Sequence, residues 1–187
     1  NADTWNSLMN SYLTSELPAQ YKVDFRPNLT VGDMRGKLLV LSRNAYASAP
    51  VTGAFISGWS HGENGSTGGS IYSNAGTATL QIQDYYDVDN TSQKLTAINS
   101  FMELASANKA ANVWTINHAS GYTDTSNYRK NASNNHPAVY RSIIAGNGKA
   151  ACTGMLMMDF VGNRKSGSYT VYGDLLPQAV IDNNYRR

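Results

Sequence analysis

Apolar positions near the start of the chain recur with helical spacing. Trp5, Leu8, Met9, Tyr12 and Leu13 fall at i, i+3, i+4, i+7 and i+8, which predicts an amphipathic helix capped at Asp3 or Thr4 and ended by Pro18. From Gly36 to Arg43 the pattern changes to a short continuous apolar run with a charged end. Such a run suits a strand buried on both faces, as in a parallel sheet. A polar stretch then reaches from Asn44 to Gly76, with 7 of the 16 glycines and with Phe55, Trp59 and Tyr72. It reads as a long functional connection, since unstructured connections beyond about 12–15 residues are uncommon. Thr77 to Asp84 is a second strand, Asn90 to Lys109 a helix with Leu95, Ile98, Met102 and Ala105 on one face, and Val113 to Asn117 a third strand. A polar loop follows from Gly121 to Asn135. Pro137, in a first turn, then opens a short helix through Val139, Tyr140, Ile143 and Ile144, closed by Gly146. Met155 to Val161 is a fourth strand, apolar except at Asp159, and Leu175 to Tyr185 is a last helix that starts near Pro177.

Strands that alternate with helices predict an α/β fold with a parallel sheet and right-handed crossovers. Four strands fit a small doubly wound sheet. They fit equally well four of the eight strands of a (β/α)8 barrel, whose usual size is about 250 residues.

Composition narrows the class of function. With 12 Tyr, 4 Phe and 3 Trp the chain is too aromatic for a disordered one. Scattered glycines and the lone Cys152 exclude collagen-like and disulfide-framework readings. No apolar run approaches the ~18 residues of a membrane-spanning helix. Fifteen Lys and Arg against 13 Asp and Glu form no basic stripe, so no nucleic-acid partner is expected. The charged fraction of 15% is low beside the ~25% typical of globular domains; Asn, Ser, Thr, Gly and Tyr take up the surface, as in many secreted proteins. A start at Asn1 rather than Met implies an upstream segment, with a signal peptide and proteolysis both open.

Three strands carry a charged residue at or beside their C-terminal ends: Arg43, Asp84 and Asp159. That edge is where parallel α/β folds bind ligands. A carboxylate closing an apolar strand is costly unless paired or hydrogen-bonded; a cap, turn or ion pair accounts for any single one, while three together point to a common rim.

These residues stand in recognisable motifs. NLTVGDMRGKLLVLSR, from Asn28 to Arg43, resembles the fifth-strand region of bacterial phosphatidylinositol-specific phospholipases C, in which Gly-Asp-x-Arg-Gly-Lys leads into an aliphatic run and an arginine. LQIQDYY, from Leu80 to Tyr86, resembles their sixth strand, which ends in Gln-Asp-x-Tyr. Met157, Met158, Asp159 and Phe160 resemble the eighth, where an Asp follows an apolar strand and precedes an aromatic. The matches keep the family's order from about Asn28 to Val161.

The resemblance implies that residues 1–187 form a single segment, the C-terminal half of a distorted (β/α)8 TIM-type barrel of about four βα units, with the N-terminal half outside this chain. It further implies cleavage of the phosphodiester of phosphatidylinositol-type lipids. The inositol 2-hydroxyl attacks phosphorus to give a cyclic inositol phosphate, with one histidine as general base and another as general acid. On this correspondence Asp159 is the carboxylate that orients the general-base histidine, fixing its tautomer and stabilising the imidazolium that forms. Arg43 and Asp84 bind inositol hydroxyls, and Tyr86 stacks on the ring. Trp59, Tyr85 and His118 are rim candidates, Trp59 at the membrane interface. An inositol phospholipid, transient contact with a membrane surface, and a secreted or cell-surface location follow from the same resemblance. No cofactor or metal site is implied, and a calcium requirement stays open.

The family's catalytic histidines, catalytic arginine and a further carboxylate belong to its first four strands, which have no counterpart here. His61, His118 and His136 read as loop or cap residues, with His118 the best catalytic exception. Asp33 reads as a turn residue and Cys152 as structural. No Cys/His spacing suggests zinc, and no loop matches a phosphate-cradling motif. Activity is therefore expected to need a complementary N-terminal half, and an open half-barrel is expected to pair with that half or with a second copy. Two alternatives stand beside this reading: a non-catalytic inositol- or carbohydrate-binding module, and a metal-dependent glycerophosphodiester phosphodiesterase-like barrel.

Overall fold

The structure is a computed structural model that describes residues 2–108, 112–124, 127–146 and 152–186. Asn1 and Lys109, an end of the expected helix, lie outside the described residues. The chain folds as two compact units, the first of residues 1–59, 67–80 and 110–114, the second of 60–66, 81–109 and 115–187. Six strands form one sheet in sequence order, and two short strands form a second.

In the first unit the amphipathic start is helix α1 (Ala2–Ser11), continued by a π-helical turn at Tyr12–Glu16. Only the end of its apolar stripe is buried: Leu13 packs against Tyr46 and Phe55, with Met9, Leu17 and Val40 alongside. Trp5, Leu8 and Tyr12 stay exposed. The strand expected over Gly36 to Arg43 pairs at β1 (Leu41–Ser42), parallel to β2 (Ala54–Ser57), and at Leu38, which makes a parallel bridge to Lys22. Gly53 lets the chain enter β2. Its φ is 68°, and a Cβ there would lie 1.9 Å from the Val40 carbonyl oxygen.

The expected loop from Asn44 to Gly76 is mostly strand. Besides β2 it holds β3 (Gly62–Ser73), and β2 pairs antiparallel with β3 through Phe55–Tyr72, Ile56–Ile71 and Ser57–Ser70. This corrects the all-parallel expectation. Only Gly69 and Ile71 of β3 are buried, so the strand rests on backbone pairing and leaves little apolar alternation to read.

The second unit is built around Ile98, Met102, Ala119, Val139, Ile143, Leu176 and Ala179. These come from α2 (Thr91–Ala107), α3 (Tyr128–Ile144), α4 (Leu175–Asn183) and the residue after β5 (Val113–His118). The Asn90 side chain caps α2 by accepting the Ser92 and Gln93 N–H groups. Helix α3 begins nine residues before Pro137, not at it, because Asn127 caps it and its early buried face is polar. Asn131, Asn135 and His136 are buried, which hides the period from an apolar count. Pro137 lies inside the helix, where it removes the N–H that would reach the Ser133 carbonyl. β5 runs parallel to β6 (Met155–Met157). The fourth strand stops at Met157, short of Asp159, and the chain turns at Phe160, whose φ is 59°. β7 (Lys165–Ser166) and β8 (Tyr169–Thr170) precede α4. Among the described residues no helix is long and apolar enough to cross a membrane.

Candidate polyol site at the strand ends

Strand β4 (Gly76–Asp84) ends in the motif Leu80 to Asp84 with every side chain buried: Leu80 and Ile82 on one parity, Gln81 and Gln83 on the other. The glutamines pair with the next strand step by step. Thr115 Oγ1 donates to Gln81 Oε1 at 3.0 Å, and Gln83 Nε2 donates to Asn117 Oδ1 at 2.8 Å. Residues 81 and 83 thus advance with 115 and 117, so Asp84 and His118 emerge at one edge.

Asp84 is the centre of that edge. His61 Nδ1 lies 3.1 Å from Asp84 Oδ2, and His118 Nδ1 lies 3.7 Å from Asp84 Oδ1, so each carboxylate oxygen faces its own imidazole. His118 Nδ1 is also 3.1 Å from Ser120 Oγ. A carboxylate against Nδ1 fixes the tautomer of a neutral imidazole and leaves Nε2 as its acceptor or base. Sequence spacing placed His118 near this edge and gave no sign of His61, which reaches Asp84 from the first residues of the second unit.

An aromatic row borders the carboxylate. Tyr86, 43% exposed, has its ring 5.3 Å from that of His61 and nearly perpendicular to it. Tyr122 follows at 6.0 Å from Tyr86, and Tyr128 at 5.7 Å from Tyr122. Tyr85, expected at the rim, turns inward and is only 7% exposed. The alternation of a strand end accounts for this: one of two successive tyrosines must face the core.

Asp159 joins the same edge through Gly121, whose N–H donates to Asp159 Oδ2 at 3.3 Å. Gly121 has φ 146°, and a Cβ there would meet the Tyr86 carbonyl oxygen at 2.8 Å, so the close approach requires glycine. Backbone hydrogen bonds from Tyr122 N to Tyr86 O and from Val88 N to Tyr122 O zip the two segments together. Asp159 also lines a cavity of about 620 Å3 with Tyr128, Arg129, Phe160 and Tyr169 among its walls.

Behind the edge lies a residue that motif reading missed. Lys94, on the first turns of α2, is fully buried. Its Nζ donates to the Tyr85 carbonyl at 2.6 Å and to Gln83 Oε1 at 3.3 Å. Burial pulls the ammonium down to about 7, against the opposing pull of Asp84 and Asp159. A signal was available: Lys94 is in helical phase with Ile98, Phe101 and Ala105, a charge on the apolar face of α2.

The other candidates are placed as follows. In the first unit Arg43 and Trp59 come together, the guanidinium stacked 4.6 Å from the indole centroid. His136 lies inside α3, not ahead of a helix; it is buried with Nδ1 2.8 Å from the Val171 carbonyl, and burial lowers its proton affinity. Asp33 is a turn residue that accepts from the Thr30 N–H and hydroxyl and pairs with Arg26 at 2.9 Å. Cys152 is free and exposed, not packed. Among the described residues no three His, Cys, Asp or Glu side chains are placed to hold a metal ion.

Helices on a sheet whose candidate residues gather at the strand ends form part of a TIM-type barrel, with β2–β3 as its antiparallel departure. The fold is that of the bacterial phosphatidylinositol-specific phospholipases C. A pentafluorophenylalanine-bearing form of the Staphylococcus aureus enzyme matches with a TM-score of 0.70 at 19% identity, over 94% of this chain and 58% of that one. A point variant of the same enzyme matches with a TM-score of 0.68 at 20% identity over the same shares. The Listeria monocytogenes enzyme matches with a TM-score of 0.58 at 21% identity, over 99% of this chain and 57% of that one. The chain therefore spans rather more than half the length of these structures. No protein-family model matches it, and no curated protein matches it in sequence. The resemblance read from Arg43, Asp84 and Asp159 is thus joined by a resemblance in fold.

Proposed function

We propose that this chain supplies the polyol-binding edge and one catalytic carboxylate of a phosphodiesterase acting on phosphatidylinositol-type lipids. What supports the reading above all is a coincidence: the three motif residues stand in the family's order on a chain with the family's fold. Asp84 accepts ring hydroxyls, with His61 and His118 holding its two oxygens in place, and Tyr86 offers its face to the apolar side of the ring. Arg43, its guanidinium flattened on Trp59, binds hydroxyl or phosphate oxygens. Asp159 orients the imidazole that takes the proton of the inositol 2-hydroxyl. That imidazole and the general acid come from a complementary N-terminal half, which is also the tight partner of this chain. Exposed aromatic side chains make transient contact with the lipid surface, and the protein works outside the cell.

A non-catalytic polyol-binding module is the second reading. It is favoured by the His61–Asp84–His118 cluster and the Tyr86–Tyr122–Tyr128 row, which bind a sugar-like ring with no further residue. Calorimetry with myo-inositol on this chain, followed by an assay for cyclic inositol phosphate release with the complementary half added, separates the two. The first reading expects binding and then turnover on reconstitution, and the second binding alone. No heat of binding, with no turnover, removes both.

A further inference from the structure

The polyol edge does not hold itself in place. Tyr85, between Asp84 and Tyr86, has both backbone groups tied inward: its N–H donates to Gln83 Oε1 at 2.7 Å, and its carbonyl accepts from Lys94 Nζ at 2.6 Å. Gln83 carries the tie across to the neighbouring strand, donating from Nε2 to Asn117 Oδ1 at 2.8 Å and to the His118 carbonyl at 2.9 Å. Asn117 Nδ2 in turn reaches the Ile98 carbonyl of α2, one turn beyond Lys94. The loop of hydrogen bonds is closed, and all three side chains in it are buried. The backbone on which Asp84, Tyr86 and His118 stand is anchored by it.

A lysine is an expensive way to fill a core. Burial of an ammonium is strongly unfavourable, and a methionine would fill the same space without that cost. The charged groups coupled to Lys94 are Asp84 and Asp159, which favour its ammonium form, and His136, whose protonation it opposes. Both coupled carboxylates belong to the candidate site, so the choice of a lysine here follows the site and not the packing.

We propose that Lys94, acting through Gln83, is the positioning residue of the polyol site: its buried amine fixes the strand-end backbone that presents Asp84, Tyr86 and His118. The inference rests on the polyol reading above, and its test keeps the two separable. The Lys94→Met chain is compared with wild type by two measurements, the amide resonances of residues 84–86 and 118, and calorimetry with myo-inositol. The amide resonances are expected to shift, the Tyr85 amide to exchange faster, and inositol affinity to fall about tenfold or more. Met102→Ala, a core substitution on the same helix outside the hydrogen-bond loop, should lower stability yet leave affinity within about twofold. Unmoved resonances overturn the positioning role whether or not inositol binds, and so do moved resonances with unchanged affinity. A wild-type chain that binds no inositol removes the polyol reading, while the amide resonances still decide whether Lys94 fixes the edge. If Lys94→Met does not fold, the side-chain amine of wild type is titrated by NMR beside that of Asp84→Asn. A midpoint lowered by that substitution supports the coupling, and an unchanged one overturns it.

Discussion

The two units bury different things. The core of the first is aromatic and aliphatic, with Tyr46 and Phe55 edge to face at 5.1 Å and Leu13 against them. Of the 12 buried polar residues among those described, only Thr52 belongs to it. The other 11, Lys94, Gln83, Asp84, Asn117 and His136 among them, lie in the second unit, which also carries Asp159. The first unit therefore depends on volume, and the second on pairing as well. Apolar packing tolerates an exchange of shape, whereas a buried polar network loses a full desolvation penalty when one member goes. Buried polarity concentrated around one strand end is what a site needs and a plain core avoids.

The sharpest way to break this contrast is Gln83→Leu. It removes partners from Lys94, from the Tyr85 N–H and from the His118 carbonyl together. A loss of about 3 kcal/mol in urea unfolding is expected, despite the gain in apolar surface. A neutral result would place the second unit with the first.

Next in size is pH. Lys94 holds its proton less well folded than unfolded, titrating at about 7 against an ordinary 10.5. The folded state then binds fewer protons between these values, so stability rises with pH across that window and is lost again as pH falls back toward 7. His136, also depressed by burial, adds loss of the same sign below its ordinary 6.5. Urea midpoints at pH 7 and pH 9.5 measure the first effect, and Lys94→Met should flatten it. A wild-type midpoint that does not rise removes the buried-amine account.

The smallest effect is expected from Phe55→Leu in the first unit, about 1 kcal/mol, since the change is one of shape in an apolar cluster. A cost as large as that of Gln83→Leu would mean that volume is as demanding as pairing.

The sequence alone determined a helix and two strands of this fold. The long helix from Asn90 was legible from the period of its apolar residues, and the strands at Thr77 and Val113 from their short apolar runs. The strand-end charges Asp84 and Asp159 stood out against apolar runs, and with Arg43 they carried the resemblance in sequence. Where backbone pairing or polar side chains did the building, the pattern fell silent: β3 has little apolar alternation, and α3 starts on buried asparagines. Only the tertiary structure decided which polar groups meet. It brought His61 to Asp84 from a glycine-rich segment, turned Tyr85 inward while Tyr86 faces out, and seated Lys94 behind both. Hydrophobic spacing is a property of neighbours along the chain. Which residues share a hydrogen bond across strands depends on register and on the packing of α2, and no local pattern encodes either.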